Sequence, residues 1–200
     1  MSSTGVQVSE VEPATRRHLS VRQAQTVANL VEAAVAELAA TGYSALTVRN
    51  VAKRAGVAPA TAYTYFASKE HLIAEVYWRR YSAAEATVPD RRRSPAHRAV
   101  AVLLDFALVV ADETDLAAAV TVAMLADDAE VRELRTRIGL ELHQRLVAAV
   151  GDDVGTSAVT VLELAISGAL LQVGTGHLAY DDLPDLLTDV CAQVLGGASR

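Results

Sequence analysis

Apolar residues recur along most of this chain at intervals of three and four, the spacing of helices buried on one face. Val27, Leu30, Val31, Ala34, Val35 and Leu38 form the first such stripe. Ser20 is placed to cap its start and Gly42, after Thr41, to end it. Thr47 can cap a short second helix with Val48, Val51, Ala52 and Ala55 on one face, and Gly56 can close it in a left-handed conformation. Pro59 opens a third helix over about 58–65, because proline is tolerated in a first turn. Ser68 caps a fourth through about Ala86. The segment Val88-Pro-Asp-Arg-Arg-Arg-Ser-Pro95 breaks the pattern and reads as a linker. Further helices are predicted at about 95–111, 115–126, 128–150, 156–173 and 181–195, with a turn at Gly151–Gly155. No alternating strand pattern and no internal repeat is found. The expected class is all-α with about nine helices.

Composition bears on this picture in three places. The first fifteen residues are polar and aperiodic, so 1–15 is expected to be a disordered tail. The single cysteine, Cys191, excludes an internal disulfide framework and a Cys-rich zinc site. The two greasiest runs, Ala99–Val110 and Val161–Gly174, are interrupted by Asp105 and Glu163 and fall short of the about 20 residues of a membrane span. With no apolar stretch after a basic start, the chain also lacks a secretory signal pattern, and a cytoplasmic protein with no membrane partner is expected.

The net charge of −6 conceals an asymmetry. Residues 16–81 carry nine Lys/Arg and four Asp/Glu, whereas residues 82–200 carry nine and eighteen. A basic front on an acidic protein points to an anionic partner for that part alone. Within it, Thr47 to Phe66 reads as a short helix, a glycine turn and a second short helix, with Ala52, Ala55 and Gly56 small enough for the two to cross closely. Such a helix-turn-helix offers the polar N-terminal face of its second helix to a major groove. Tyr63, Thr64, Tyr65 and Lys69 add hydroxyls and a cation suited to phosphate oxygens.

Over about residues 20–81 the chain resembles the TetR family of bacterial transcriptional regulators. The resemblance is carried by Gly42-Tyr43, Thr47-Val48-Arg49, Val51-Ala52, Ala55-Gly56-Val57, Ala60-Thr61-Ala62-Tyr63, Tyr65-Phe66 and Ser68-Lys69-Glu70-His71-Leu72. Ala62 departs from the family's usual leucine, and Asn50 from a usually acidic residue. The resemblance implies a helix-turn-helix domain at 16–67 and a helical ligand-binding and dimerisation domain at 68–200. It implies a homodimer that represses by binding a near-palindromic operator in double-stranded DNA and leaves it when a small-molecule effector binds. By position, Arg49, Pro59, Ala60 and Tyr63 would approach base edges, and Thr47, Thr61, Thr64, Tyr65 and Lys69 would hold phosphates. Arg49 is suited to guanine, whose O6 and N7 its fork can bond together, while Pro59 and Ala60 can offer only apolar contact. Arg16, Arg17 and Arg22 would touch the flanking backbone. Phe66 is expected in the core.

The body holds no catalytic constellation: no HExxH, no GxSxG and no phosphate-cradling glycine loop. An enzyme, a metal site and a cofactor are therefore not expected. His143, on a helix near Glu141 and Arg145, reads as a surface or pocket-wall residue, and Asp127-Asp128 as a helix start. A mostly apolar pocket is expected from Tyr77, Trp78, Tyr81, Phe106 and Met124, with Asp105 or Gln172 as its polar anchor. The helix from Thr156 is apolar almost all round and needs cover on every side. A four-helix dimer interface is expected from Leu162, Ala165, Ile166, Ala169 and Leu170 with Leu186, Leu187, Val190 and Val194. Two other classes share the basic front: a regulator with no small ligand, governed by abundance or a protein partner, and a nucleoid-type binder with no sequence choice.

Overall fold

In a computed structural model, described for residues 21–151 and 154–196, nine α-helices follow one another without strands. They are α1 (Val21–Ala45), α2 (Val48–Arg54), α3 (Pro59–Tyr63), α4 (Lys69–Ala83), α5 (Pro95–Ala107), α6 (Thr114–Met124), α7 (Ala129–Val150), α8 (Thr156–Gly174) and α9 (Leu183–Gly196). The tail, Ser20, Arg16, Arg17 and part of the 151–155 turn lie outside the described residues.

The helix ends follow local chemistry. Thr47 accepts the Asn50 N–H at 3.1 Å, Ser68 that of His71 at 2.9 Å and Ser94 that of His97 at 3.3 Å. Gly42 breaks α1 with φ +74° and Gly56 follows α2 at φ +67°, both in the left-handed region. Where ends differ from expectation, tertiary contacts decide. α4 stops at Ala83, short of Ala86, because Thr87 is held by Asp105: its N–H and its hydroxyl each donate to the carboxylate at 2.8 Å. Asp105 is therefore an anchor of the linker, not of a pocket. α5 ends at Ala107 and passes into a 3-10 turn, Leu108–Val110. α6 ends at Met124, where Arg135 donates to the carbonyls of Met124 at 2.6 Å and Ala126 at 3.2 Å.

Two cores result. The first joins α1–α4 to α6 and the first half of α7 through residues such as Leu30, Leu38, Val51, Ala62, Phe66, Leu72, Tyr77, Leu116 and Ile138. The second joins α5, the second half of α7, α8 and α9 through Leu103, Leu146, Leu162, Ile166, Leu187 and Cys191. The helix-turn-helix thus shares one core with body helices. At the α6–α8 crossing a Cβ on Gly174 would lie 2.3 Å from Thr121 Cγ2, so glycine allows that approach.

α8 departs most from expectation. By length and composition (19 residues, mean hydropathy 1.5) it is long and apolar enough to cross a membrane. Its actual place is against α9, α6 and α7, with Val159, Leu162, Ile166 and Ala169 buried. Leu162, Ile166 and Ala169, and Leu187 on α9, therefore serve the chain's own core and are not open to a partner. The exposed stripe is rotated from them: Val161, Leu164, Gly168 and Leu171, with Ala165 half-buried at its edge. Leu186 of α9 is exposed, and Val190 and Val194 are half-buried.

Candidate nucleic-acid interface and effector cavity

The head presents a polar face carried by a tightly packed interior. Val48, Val51, Ala52 and Ala62 are buried where α2, α3 and α1 meet. The zero exposure of Ala62 explains why a small side chain suits this crossing. Glu37, buried on α1, accepts from Arg54 Nε of α2 at 2.6 Å and fixes the first helix of the motif to α1. On the outside, Thr47, Arg49, Pro59, Ala60, Thr61 and Thr64 are exposed, and Tyr63 is 52% exposed. The Thr64 hydroxyl donates to the Thr61 carbonyl at 2.6 Å, closing the end of α3. Tyr65 is half-buried against the first core.

Phe66 lies in the core, as expected, and Lys69 makes contacts within the chain. Phe66 is buried and meets His71 edge-on at 5.3 Å, as its apolar ring requires. Lys69 turns inward: its Nζ donates to the Tyr43 carbonyl at 2.9 Å and sits 4.3 Å from the Tyr43 ring centre. Tyr43 in turn donates to Glu70 at 3.0 Å, and burial together with that carboxylate holds its phenol above the usual tyrosine range. This cluster fastens the end of α1 to the start of α4, with Lys69 half-buried in it.

Ser68 joins head to body. Its hydroxyl caps α4 and also donates to Asp128 Oδ2 at 2.7 Å. Asp128 Oδ1 accepts from the N–H groups of Glu130 and Val131 at 2.9 and 3.1 Å, capping α7. The Ser68 hydroxyl holds the Asp128 carboxyl below the usual carboxylate value, helped by those two N–H groups and His71.

In the body, a cavity of about 670 Å³ opens between α4, α6, α7 and α8. Its size falls within the usual range for small-molecule sites. Of the expected lining residues, Tyr77, Phe106 and Met124 are present. Trp78, Tyr81 and Gln172 are not. Trp78 is half-buried under the Arg137 guanidinium, 5.6 Å from its ring centre. Tyr81 lies fully buried behind the wall, stacked on Tyr77 at 6.1 Å and covered by Arg145 at 4.3 Å. Its phenol is pushed up to about 12 by burial. Gln172 is exposed. Leu170, expected at a dimer face, lines this cavity, as does the neighbouring Leu171.

The wall also holds residues that sequence reasoning did not gather: Arg135 from α7, Ser167 and Glu163 from α8, and Tyr180. His143, read as a pocket-wall candidate, does line it and pairs through Nδ1 with Glu163 Oε1 at 2.8 Å. Among the described residues no group of three or more His, Cys, Asp or Glu is placed to hold a metal ion.

The sequence model for bacterial regulatory proteins of the tetR family matches residues 30–76. An uncharacterized HTH-type transcriptional regulator of Mycobacterium tuberculosis is 44% identical over 181 residues, 90% of this chain and 84% of that protein. The chain belongs to the TetR family. An uncharacterized HTH-type transcriptional regulator of Mycobacterium bovis shows the same 44% identity and coverage. Among solved structures, a TetR transcriptional regulator from Rhodococcus sp. superimposes with a TM-score of 0.71 at 23% identity, covering 86% of this chain and 99% of that one. Another from Haloarcula marismortui gives 0.64 at 16% identity over 87% and 98%. These likenesses carry the fold: an N-terminal helix-turn-helix domain on a C-terminal helical domain. This TetR-family protein is a DNA-binding transcriptional regulator and not an enzyme.

Proposed function

We infer that this TetR-family regulator is a homodimeric repressor, acting in the cytoplasm, that leaves a near-palindromic operator when a small, mostly apolar effector fills the body cavity. Arg49, Pro59, Ala60 and Tyr63 read base edges, and Thr47, Thr61 and Thr64 hold phosphates. The open stripe Val161, Leu164, Ala165, Gly168 and Leu171, with Leu186 and Val190 of α9, is the face a second copy covers. Exposed apolar surface of this extent marks an interaction site.

The observation that carries the reading is the path from cavity to head. Tyr77 lines the cavity on α4, and Ser68 lies nine residues before it at the head end. The helix spans that interval in about 14 Å. Ser68 is also bonded to the cap of α7, the helix that supplies Arg135, Ile138, Leu142 and His143 to the cavity wall. An effector that prefers one setting of α4 against α7 shifts the heads between DNA-competent and DNA-incompetent spacings, by no more than its difference in affinity for the two.

The test is a cavity-filling variant, Met124→Trp, with Arg49→Ala beside it, in a reporter strain exposed to a panel of apolar compounds. Met124→Trp is expected to keep repression and lose its release, and Arg49→Ala to lose repression. Release that survives Met124→Trp refutes the cavity as the effector site. Sedimentation that gives a monomer mass from nanomolar to micromolar protein refutes the dimer.

A further inference from the structure

The cavity wall is asymmetric in its hydrogen-bonding chemistry. Three of its four hydroxyl donors are committed within the chain. The Tyr77 phenol donates to the Phe106 carbonyl at 2.9 Å. Thr121 donates to the Ala117 carbonyl at 3.2 Å, and Ser167 to the Glu163 carbonyl at 2.7 Å. Arg135 spends Nη1 on the carbonyls that end α6, the negative end of that helix, which offsets its charge. The Glu163 carboxylate can only accept: Oε1 meets Nδ1 of His143 at 2.8 Å, and Oε2 is left as an acceptor. What the wall offers a ligand is therefore mainly lone pairs: hydroxyl oxygens and the free oxygen of Glu163. The remaining donors are the Tyr180 hydroxyl, which also accepts, and the outer N–H groups of Arg135. Arg135 and His143 are eight residues apart on α7, about 12 Å along the helix, so the cation stands at a distance from the acceptor cluster.

We propose that the cavity selects an apolar molecule bearing a protonated amine, seated on Glu163 between the hydroxyl of Ser167 and the ring of His143. This rests on the reading of the cavity as the effector site. The carboxylate offers an ammonium both a hydrogen bond and an opposite charge, whereas a neutral head group receives only the hydrogen bond and an anionic one is repelled; the apolar remainder fills the space lined by Ile138, Leu142 and Leu170.

The test uses the whole protein without DNA and N-phenyl-1-naphthylamine, a neutral dye that brightens in apolar cavities. Decylammonium, decanol and decanoate, matched in chain length and kept below micelle-forming concentrations, compete for it. Decylammonium is expected to displace the dye at concentrations about tenfold or more below the other two, the size of a charge-assisted bond. Glu163→Gln, which keeps shape and removes charge, is expected to abolish that preference while leaving decanol unchanged. Decanoate competing as well as decylammonium, through Arg135, would overturn the proposal, as would equal competition by all three. So would a Glu163→Gln protein that keeps the preference. The comparison of the three compounds on the unmodified protein stands even if the variant does not fold. Failure of the dye and of all three compounds to bind would instead sink the effector-site reading beneath it.

Discussion

Replacing Asp128 by alanine removes two things at once: the cap of α7 and the hydrogen bond that ties it to the head. The cap satisfies the N–H groups of Glu130 and Val131, and its loss costs about 1 kcal/mol. The bond from Ser68 is charge-assisted but half-exposed, and removing it adds about 0.5–1 kcal/mol. Asp128→Asn keeps the capping oxygen and loses the acceptor facing Ser68, so it should show the second part alone. For a chain of this length each kcal/mol lowers Tm by about 2–4 °C. Asp128→Ala is thus expected to melt about 3–8 °C lower and Asp128→Asn about 1–4 °C lower, followed by circular dichroism. A double-mutant cycle with Ser68→Ala isolates the link, with coupling of about 0.5–1 kcal/mol. The pH dependence has a fixed sign. The folded carboxyl binds its proton more weakly than the usual value of 3.8, so its stabilisation is present above that value and is lost as pH falls below it. The difference between wild type and Asp128→Asn should therefore shrink below about pH 4. Additive single mutants, or an Asp128→Asn protein as unstable as Asp128→Ala, would refute the link between head and body.

Three further outcomes are expected. Glu37→Ala frees Arg54 from α1 and should cost about 1–2 kcal/mol in thermal melts while weakening DNA binding; an unchanged melt would remove the pair from the account of the head. Gly174→Ala drives a Cβ into Thr121 and should cost about 1–3 kcal/mol, partly recovered in a Thr121→Ala background; an unchanged melting temperature would show that α6 and α8 separate freely. Cys191 is fully buried and its thiol is pushed up to about 11 by burial, so Ellman's reagent should react only after denaturant is added; prompt reaction in native protein would show that α9 opens readily.

How much of this was legible in the sequence depends on the range of the interactions. Thr47, Ser68 and Ser94 cap within three residues of themselves, and Gly42 breaks α1 through its own φ, so local pattern suffices. The burial of Phe66 follows from its chemistry. The rotation of α8 was not legible. Leu162 and Leu164 are equally apolar, and only packing against α9 and α7 turns the first inward and leaves the second 68% exposed. The cavity's polar wall was hidden for a related reason. Arg135, His143 and Glu163 look like solvent-facing charges on their own helices, and they become one site only when α7 and α8 cross. Asp105 was misplaced because its partner, Thr87, stands across the linker.

The central claim is that the exposed face of α2 and α3 reads DNA sequence. The direct measurement is enrichment of duplexes from a random pool, followed by fluorescence anisotropy of the winner against a scrambled duplex at one salt concentration. The expected result is a near-palindromic site bound about 10³-fold or more tighter than the scrambled one. In Arg49→Ala, choice at one base pair of each half-site should relax at a cost of about 1–3 kcal/mol, with the salt dependence nearly unchanged. A pool from which no sequence is enriched, with equal salt-sensitive binding to every duplex, would contradict it.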